Sequence, residues 1–149
     1  MTTREKVEVV VNKQVEFNNN TNGVMWLNGI TDKGNVIDWD TAIKLESAEA
    51  MESVPWKWWK DIENGQADLD NIMIEAVDIL HFTVSDIVRS LYTGSMLEKE
   101  TDMSATTPVD QEVLSDAITR TIDYMTNVLD KEDETLDAII SISVGELQN

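Results

Sequence analysis

Between Arg4 and Asn18 the chain carries apolar side chains at Val7, Val10, Val11 and Phe17, among others. The 7/10/11 spacing predicts a helix over 4–18, although the β-branched run Val9-Val10-Val11 would also suit a strand. The turn formers Asn18-Asn19-Asn20-Thr21-Asn22-Gly23 should stop it, and 24–39 read as a loop with glycines at 29 and 34. Asp38 and Asp40 are candidate N-caps for a second helix over 40–53. Its apolar contacts should come from Ala42, Ile43, Leu45, Ala50 and Met51, while Glu46, Glu49 and Glu52 form an acidic stripe on another face. Pro55 ends this helix or begins a new turn, and 61–68 is a polar connector holding Gly65.

The clearest helix spans 69–92, where Val77, Leu80, Val84, Ile87, Val88 and Leu91 recur every three or four residues. Glu75, Asp78 and Phe82 keep the same rhythm on a different face, and Gly94 is a plausible C-cap. A linker over 95–108 ends in Thr107-Pro108. A fourth helix over 109–129 carries Val113, Leu114, Ala117, Ile118, Ile122, Met125 and Leu129. After a break at Lys131-Glu132-Asp133, a last helix over 133–146 carries Leu136, Ile139, Ile140 and Val144. The pattern is all-α, a bundle of about five helices, and 149 residues suit a single domain.

Composition narrows the chemistry. The net charge is −18, from 29 acidic and 11 basic residues, and such a surface repels a nucleic-acid backbone. A small anionic substrate can bind only where a metal and local lysines reverse the field. With no cysteine there is no disulfide, no thiol catalysis and no Cys-type metal site, which fits a reducing cytoplasm. No apolar run reaches the length of a membrane span, and MTTREKVEVVV lacks the apolar core and cleavage site of a signal peptide.

Candidate chemistry gathers between Glu46 and Asp78. Two acidic pairs frame the stretch, Glu46/Glu49 and Glu75/Asp78, each at i, i+3, so that a helix projects both carboxylates from one face. Four converging carboxylates make an oxygen-rich site that suits Mg²⁺. Between the pairs lies Pro55-Trp56-Lys57-Trp58-Trp59-Lys60, with lysines suited to phosphate and tryptophans suited to a flat base. The combination points to a metal-dependent enzyme acting on a nucleotide. Each feature also has a plainer reading. The acidic pairs can be solvated helix faces, Lys57 and Lys60 surface cations, and His81 a satisfied structural residue. Trp58 and Trp59 suit core or dimer packing, Gln14, Asn18 and Asn22 a helix end and turn, and the methionines core filling or loops.

The ordered set Glu46-Ser47-Ala48-Glu49, Pro55-Trp56-Lys57-Trp58-Trp59-Lys60, Glu75-Ala76-Val77-Asp78 and His81-Phe82 resembles the all-α nucleoside-triphosphate pyrophosphatases. Within them it is most similar to the dimeric dUTPase branch that includes bacteriophage dCTPase–dUTPases. Asn71 also fits, and an upstream element resembling L-Q-x-x-L-N-x-x-T-N-G is found at Gln14, Asn18 and Thr21-Asn22-Gly23, with Trp26 beyond. The matches run in family order over about 13–86. A lone E-x-x-E is weak evidence; the ordered set is strong.

The resemblance implies Mg²⁺-dependent hydrolysis of dUTP, with dUDP or dCTP as alternatives, to the monophosphate and pyrophosphate. Glu46, Glu49, Glu75 and Asp78 would hold two or three Mg²⁺ ions, for which Mn²⁺ can substitute. Glu49 or Glu46 would orient or deprotonate the attacking water. Gln14, Asn18 and Trp56 would line the base pocket, and His81 and Phe82 would bound base and sugar. Asn71 would touch sugar or phosphate, and Lys57 and Lys60 would balance phosphate charge. The partners implied are a deoxyuridine or deoxycytidine nucleotide and a second copy of the chain, in the cytoplasm or a phage host's cytoplasm. One family element has no counterpart: the late K-x-x-x-N-x-x-R-Q-x-x-G-Y-like segment is not found between Thr101 and Asn149, where Arg120 is the one arginine. Either this is a short form, or another element supplies the cations. A broader MazG-like pyrophosphatase and a non-catalytic form that binds nucleotide and metal are the alternative readings.

Overall fold

Thr2 opens the first helix, its hydroxyl accepting the Glu5 backbone N–H at 3.1 Å. Helix α1 then runs Thr3–Thr21 and buries Val7, Val10, Val11, Gln14, Val15 and Asn18, a single stripe at helical spacing. In this computed structural model residues 1–59, 67–131 and 134–148 are described. Lys60, residues 61–66 of the expected connector with Gly65, the expected break at Glu132-Asp133 and the side chain of Leu136 lie outside them. Helix α1 does not stop at Asn18 as its turn-forming residues suggest. Asn18 is 1% exposed, and its amide donates to Ser85 Oγ at 2.9 Å and accepts from Asn22 at 3.0 Å. Satisfied side-chain amides let the asparagine run stay helical. Phe17, expected to face the core, is 54% exposed.

The stretch expected to be a plain loop folds a 3₁₀ turn, Val24–Asn28, which buries Trp26 and Leu27. Gly29 closes it in the left-handed region at φ 82°, and a Cβ there would lie 2.6 Å from Arg89 Nη2. Trp26 packs edge-on to Trp39 at 6.4 Å, and Trp39 in turn meets Phe82 at 5.9 Å. This aromatic chain joins the loop to the start of α2 and the middle of α3.

Helix α2 spans Trp39–Glu52, capped by Asp38, whose carboxylate accepts the Thr41 N–H at 3.1 Å; Asp40 lies inside the helix. Helix α3 spans Leu69–Glu98, capped by Asp68. Its 30 residues make a rod about 45 Å long at 1.5 Å per residue. Gly94 lies inside α3 and caps nothing, because Tyr92 and Met96 on either side continue the buried stripe. The chain turns instead at Lys99 and Glu100, the latter at φ 57°. Asp110 starts helix α4 (Gln111–Lys131) by accepting the Val113 N–H at 3.1 Å, while its own N–H donates to Tyr92 Oη. Helix α5 spans Glu134–Gln148.

The described residues thus form five α-helices and no strand; one isolated bridge pairs Ile30 with Val36. Helix α1 packs against α3, α4 and α5, and α3 against α4, around a core that includes Val10, Val84, Val88, Tyr92, Ala117 and Ile140. Helix α2 is placed differently: α3 is its principal packing partner, and Trp39 is its one buried residue. Leu45 and Met51, expected to pack, are 58% and 54% exposed, because among the described residues no third element covers that face of α2. No helix among the described residues is long and apolar enough to cross a membrane.

Candidate active site

The α2–α3 contact delivers the carboxylates. Glu46 comes from α2, and Glu75 and Asp78 from successive turns of α3. One carboxylate oxygen from each lies within 4.8 Å of the others. Glu75 is buried, and the Oε2 atoms of Glu46 and Glu75 are both shut from solvent with no hydrogen-bond partner among the described residues. Ionised carboxylates only accept hydrogen bonds, so such a group needs a shared proton or a cation. Glu46 bears the strain. Its pKa is pushed up to about 7, first by the hydrogen bond it shares with Glu75, then by burial, then by the charges of Glu75, Glu49 and Asp78. Asp78 is also raised, by burial and then by Glu75, with His81 acting in the opposite direction. A hard divalent cation such as Mg²⁺ fits this donor set, which is all oxygen and carries two orphaned buried atoms.

Glu49, the fourth expected carboxylate, is exposed and stands outside the cluster of three, acting on Glu46 through its charge. Two helix positions three apart are offset by about 60°, enough for one to enter an interface while the other stays in water.

Beside the cluster lies a cavity of about 270 Å³ lined by Gln14, Phe17, Asp78, His81, Phe82 and Leu147. It brings together three residues expected at a base and sugar site. Gln14 is 4% exposed, yet its amide has no partner among the described residues. His81 Nε2 lies 2.7 Å from Ser143 Oγ on α5. Burial lowers the His81 pKa, opposed by Asp78 and Glu146. Phe82 closes one wall with its ring set against Trp39.

Other expected residues are placed elsewhere. Asn18 is sealed behind the pocket in its bonds to Ser85 and Asn22. Trp56 and Lys57 follow α2, with Lys57 Nζ 5.6 Å from the Trp56 ring centroid and 3.3 Å from Glu52. Trp58 and Trp59 are 79% and 56% exposed and meet edge-on at 4.6 Å, so neither is core. Asn71 donates from Nδ2 to Ser53 Oγ and from its backbone N–H to Asp68, tying the start of α3 to the end of α2. Phe17, Ser143 and Leu147 were not anticipated at the site. Phe17 could have been found as the residue one helical turn beyond Gln14. Ser143 and Leu147 carry no local signal, since only the packing of α5 brings them near. A larger groove of about 550 Å³, walled by Ile87, Leu91, Arg120 and Tyr124 among others, holds none of the clustered carboxylates.

A helical bundle that holds three carboxylates across two adjacent helices, next to a small half-apolar pocket, defines a protein able to place a divalent cation against a ring-bearing ligand. A family model described as dUTPase matches residues 6–148, and the chain belongs to this all-α dUTPase family. It is a hydrolase of that family, whose members act on nucleotides and are typically metal-dependent. The match reaches from α1 to the last turn of α5, well beyond the span of the motifs. No curated protein sequence matches the chain significantly.

Proposed function

We propose that this chain hydrolyses dUTP to dUMP and pyrophosphate, with Mg²⁺ held by Glu46, Glu75 and Asp78. The observation that carries the reading is the placement of that cluster against the pocket of Gln14, His81 and Phe82, with Asp78 belonging to both. Bound there, Mg²⁺ supplies charge neutralisation to the phosphates and makes water a stronger nucleophile at neutral pH. The chain's own residues do the rest. In this reading Glu49, solvated and one turn from Glu46, holds and deprotonates the attacking water. The unpartnered Gln14 amide and the His81 ring offer hydrogen bonds to a base, and Phe82 and Phe17 supply its apolar walls. In this reading Phe82 also disfavours a 2′-hydroxyl. Lys57, beside the Trp56 ring and paired with Glu52, supplies positive charge for the phosphates in this reading.

The working form in this proposal is a homodimer. Leu45, Met51, Leu69 and Ile74 leave apolar surface exposed on the α2–α3 pair, which a second copy would cover. The deciding experiment is pyrophosphate release from dUTP, dCTP, dTTP and UTP with and without Mg²⁺. The reading expects release from dUTP that needs Mg²⁺ and falls sharply in Glu49→Gln. Equal release from every triphosphate would replace it with a broad-specificity pyrophosphatase. Nucleotide-induced thermal stabilisation without product would replace it with a binding form. A monomeric mass in solution would remove the dimer.

A further inference from the structure

Ser143 has no exposed surface, and its Oγ lies 2.7 Å from His81 Nε2. Three other buried or half-buried helix hydroxyls return their hydrogen to the carbonyl four residues back, while those of Thr93 and Thr126 have no partner among the described residues. Thr121 does so to Ala117, Ser85 to His81 and Thr83 to Ile79, at 2.7, 2.9 and 2.7 Å. Ser143 makes no such bond, and His81 is the one polar partner of its hydroxyl among the described residues. Two arrangements satisfy the distance. If Nε2 carries the imidazole proton, the serine accepts it, and its own hydrogen is left buried with no acceptor. If the serine donates to a bare Nε2, its buried hydrogen is satisfied, and the ring proton sits on Nδ1. The second is favoured, because an unmet donor shut away from water is the costlier fault. Nδ1 itself has no partner among the described residues and is not one of the buried unpartnered atoms.

We propose that Ser143 is a positioning residue: by donating to His81 Nε2 it fixes the neutral imidazole as the Nδ1–H tautomer, so that His81 offers the pocket a hydrogen-bond donor. A donor there takes an acceptor oxygen. Granting the reading above, in which the pocket holds a pyrimidine, with its 4-position turned to His81, it pairs with the uracil 4-keto oxygen and opposes the 4-amine of cytosine. A residue of the last helix, which touches no ligand, thereby biases the site toward uracil.

His81 is the only histidine, so nitrogen-15 NMR of the full chain yields one imidazole spin system to interpret. At a pH where the ring is neutral, the wild type is expected to show a protonated Nδ1 and a bare, hydrogen-bonded Nε2. Ser143→Ala should move the proton toward Nε2, and Ser143→Thr, which keeps the hydroxyl, should restore Nδ1–H. A wild-type spectrum with the proton on Nε2 overturns the proposal, and needs no variant to fold. In turnover, Ser143→Ala should narrow the preference for dUTP over dCTP by about three- to tenfold, chiefly through KM, on the scale of one hydrogen bond. An unchanged spectrum and an unchanged preference in Ser143→Ala would also overturn it. The two readings fail separately. If the wild type cleaves neither nucleotide, the proposed function falls while the spectrum still decides the Ser143–His81 bond.

Discussion

Two halves of the molecule are built by different rules. Where α1, α4, α5 and the second half of α3 meet, the interior is continuous: Val7, Val10, Val84, Val88, Tyr92 and Ala117 have no exposed surface. Where α2 meets the first half of α3, the buried residues are Trp39, Ser53, Glu75 and Val77, while Leu45, Met51, Leu69 and Ile74 stay in water. The first region is a core held by apolar burial. The second is an arm held by one helix contact, a few polar links and whatever occupies its carboxylate cluster. It is also the half that carries the site. A cluster of like charges opposes close packing when empty and favours it when a cation is bound, so stability in the arm is tied to ligand state.

The largest effect should come from charging the core. Val88→Asp puts a carboxylate at a fully buried core position, and should cost about 4 kcal/mol or more in chemical unfolding. The same change at Ile74, half exposed on the arm, should stay within about 0.5 kcal/mol for an isolated chain. If Ile74→Asp instead lowers assembly while leaving the unfolding of the separated chain alone, the arm face is an interface. Similar losses at the two positions would dissolve the contrast between core and arm. Next comes Glu75→Gln. It should reduce nucleotide hydrolysis by at least about 100-fold, the scale for a group acting on developing charge. The metal-free protein should melt no lower than the wild type, because a like charge has left the cluster. Loss of the Mg²⁺-induced rise in melting temperature would tie the two effects to one site. A variant that still melts higher with Mg²⁺ would place the cation elsewhere.

This contrast also explains what could be read from the sequence. The helices were legible because each buries one stripe, and a stripe has a period. The ends were less so. Gly94 and the asparagines after Phe17 carry breaker chemistry, but buried Tyr92 and Met96 and the Asn18–Ser85 bond overrode it. The 3₁₀ turn at Val24–Asn28 is too short to show a period. In the site, Glu46, Glu75 and Asp78 were visible as spaced pairs. Glu49 looks equivalent to Glu46 in sequence, and only the edge of the α2–α3 interface separates them. Leu45 and Met51 follow the expected apolar pattern and are exposed all the same, because pattern reports which face is apolar and not what covers it. Ser143 is 62 residues from His81, and no local signal spans that gap.

The pH dependence of stability should carry the same signature. Glu46 has a folded pKa of about 7 against an ordinary 4.5. Below 4.5 both folded and unfolded chains hold its proton, and the shift costs nothing. Between 4.5 and about 7 the unfolded chain releases the proton while the folded one keeps it, so rising pH favours unfolding; above 7 the loss is complete. In the presence of a chelator, melting temperature should therefore carry a falling contribution through that window. With Mg²⁺ the cation replaces the proton, and the stabilisation it adds should grow over the same window. Glu46→Gln should remove both slopes. A metal-free profile identical in wild type and Glu46→Gln would mean that Glu46 does not hold the cluster's proton.

The smallest effect tests whether the arm moves by itself. Ser53 accepts from Asn71 Nδ2 through its hydroxyl, and its backbone carbonyl accepts the Asp68 N–H at 2.8 Å. Ser53→Ala removes the first bond, together with the hydroxyl's own 3.4 Å bond to the Glu49 carbonyl inside α2, and leaves the backbone one. Asn71 is half-buried and can turn its amide to water, so the loss should be about 1 kcal/mol or less. A global unfolding curve would barely register it. Amide hydrogen exchange should, because the lost bond joins the start of α3 to the end of α2. Exchange should quicken over the first turns of α3 around Asn71–Glu75 and remain slow at Val10, Val88 and Ala117. Bound Mg²⁺ should slow it again, since the cation crosslinks the same two helices through Glu46 and Glu75. Faster exchange spread evenly over α1 and α4 would show instead that arm and core open as one unit. The carboxylates would then be set by the whole bundle and not by the α2–α3 contact alone.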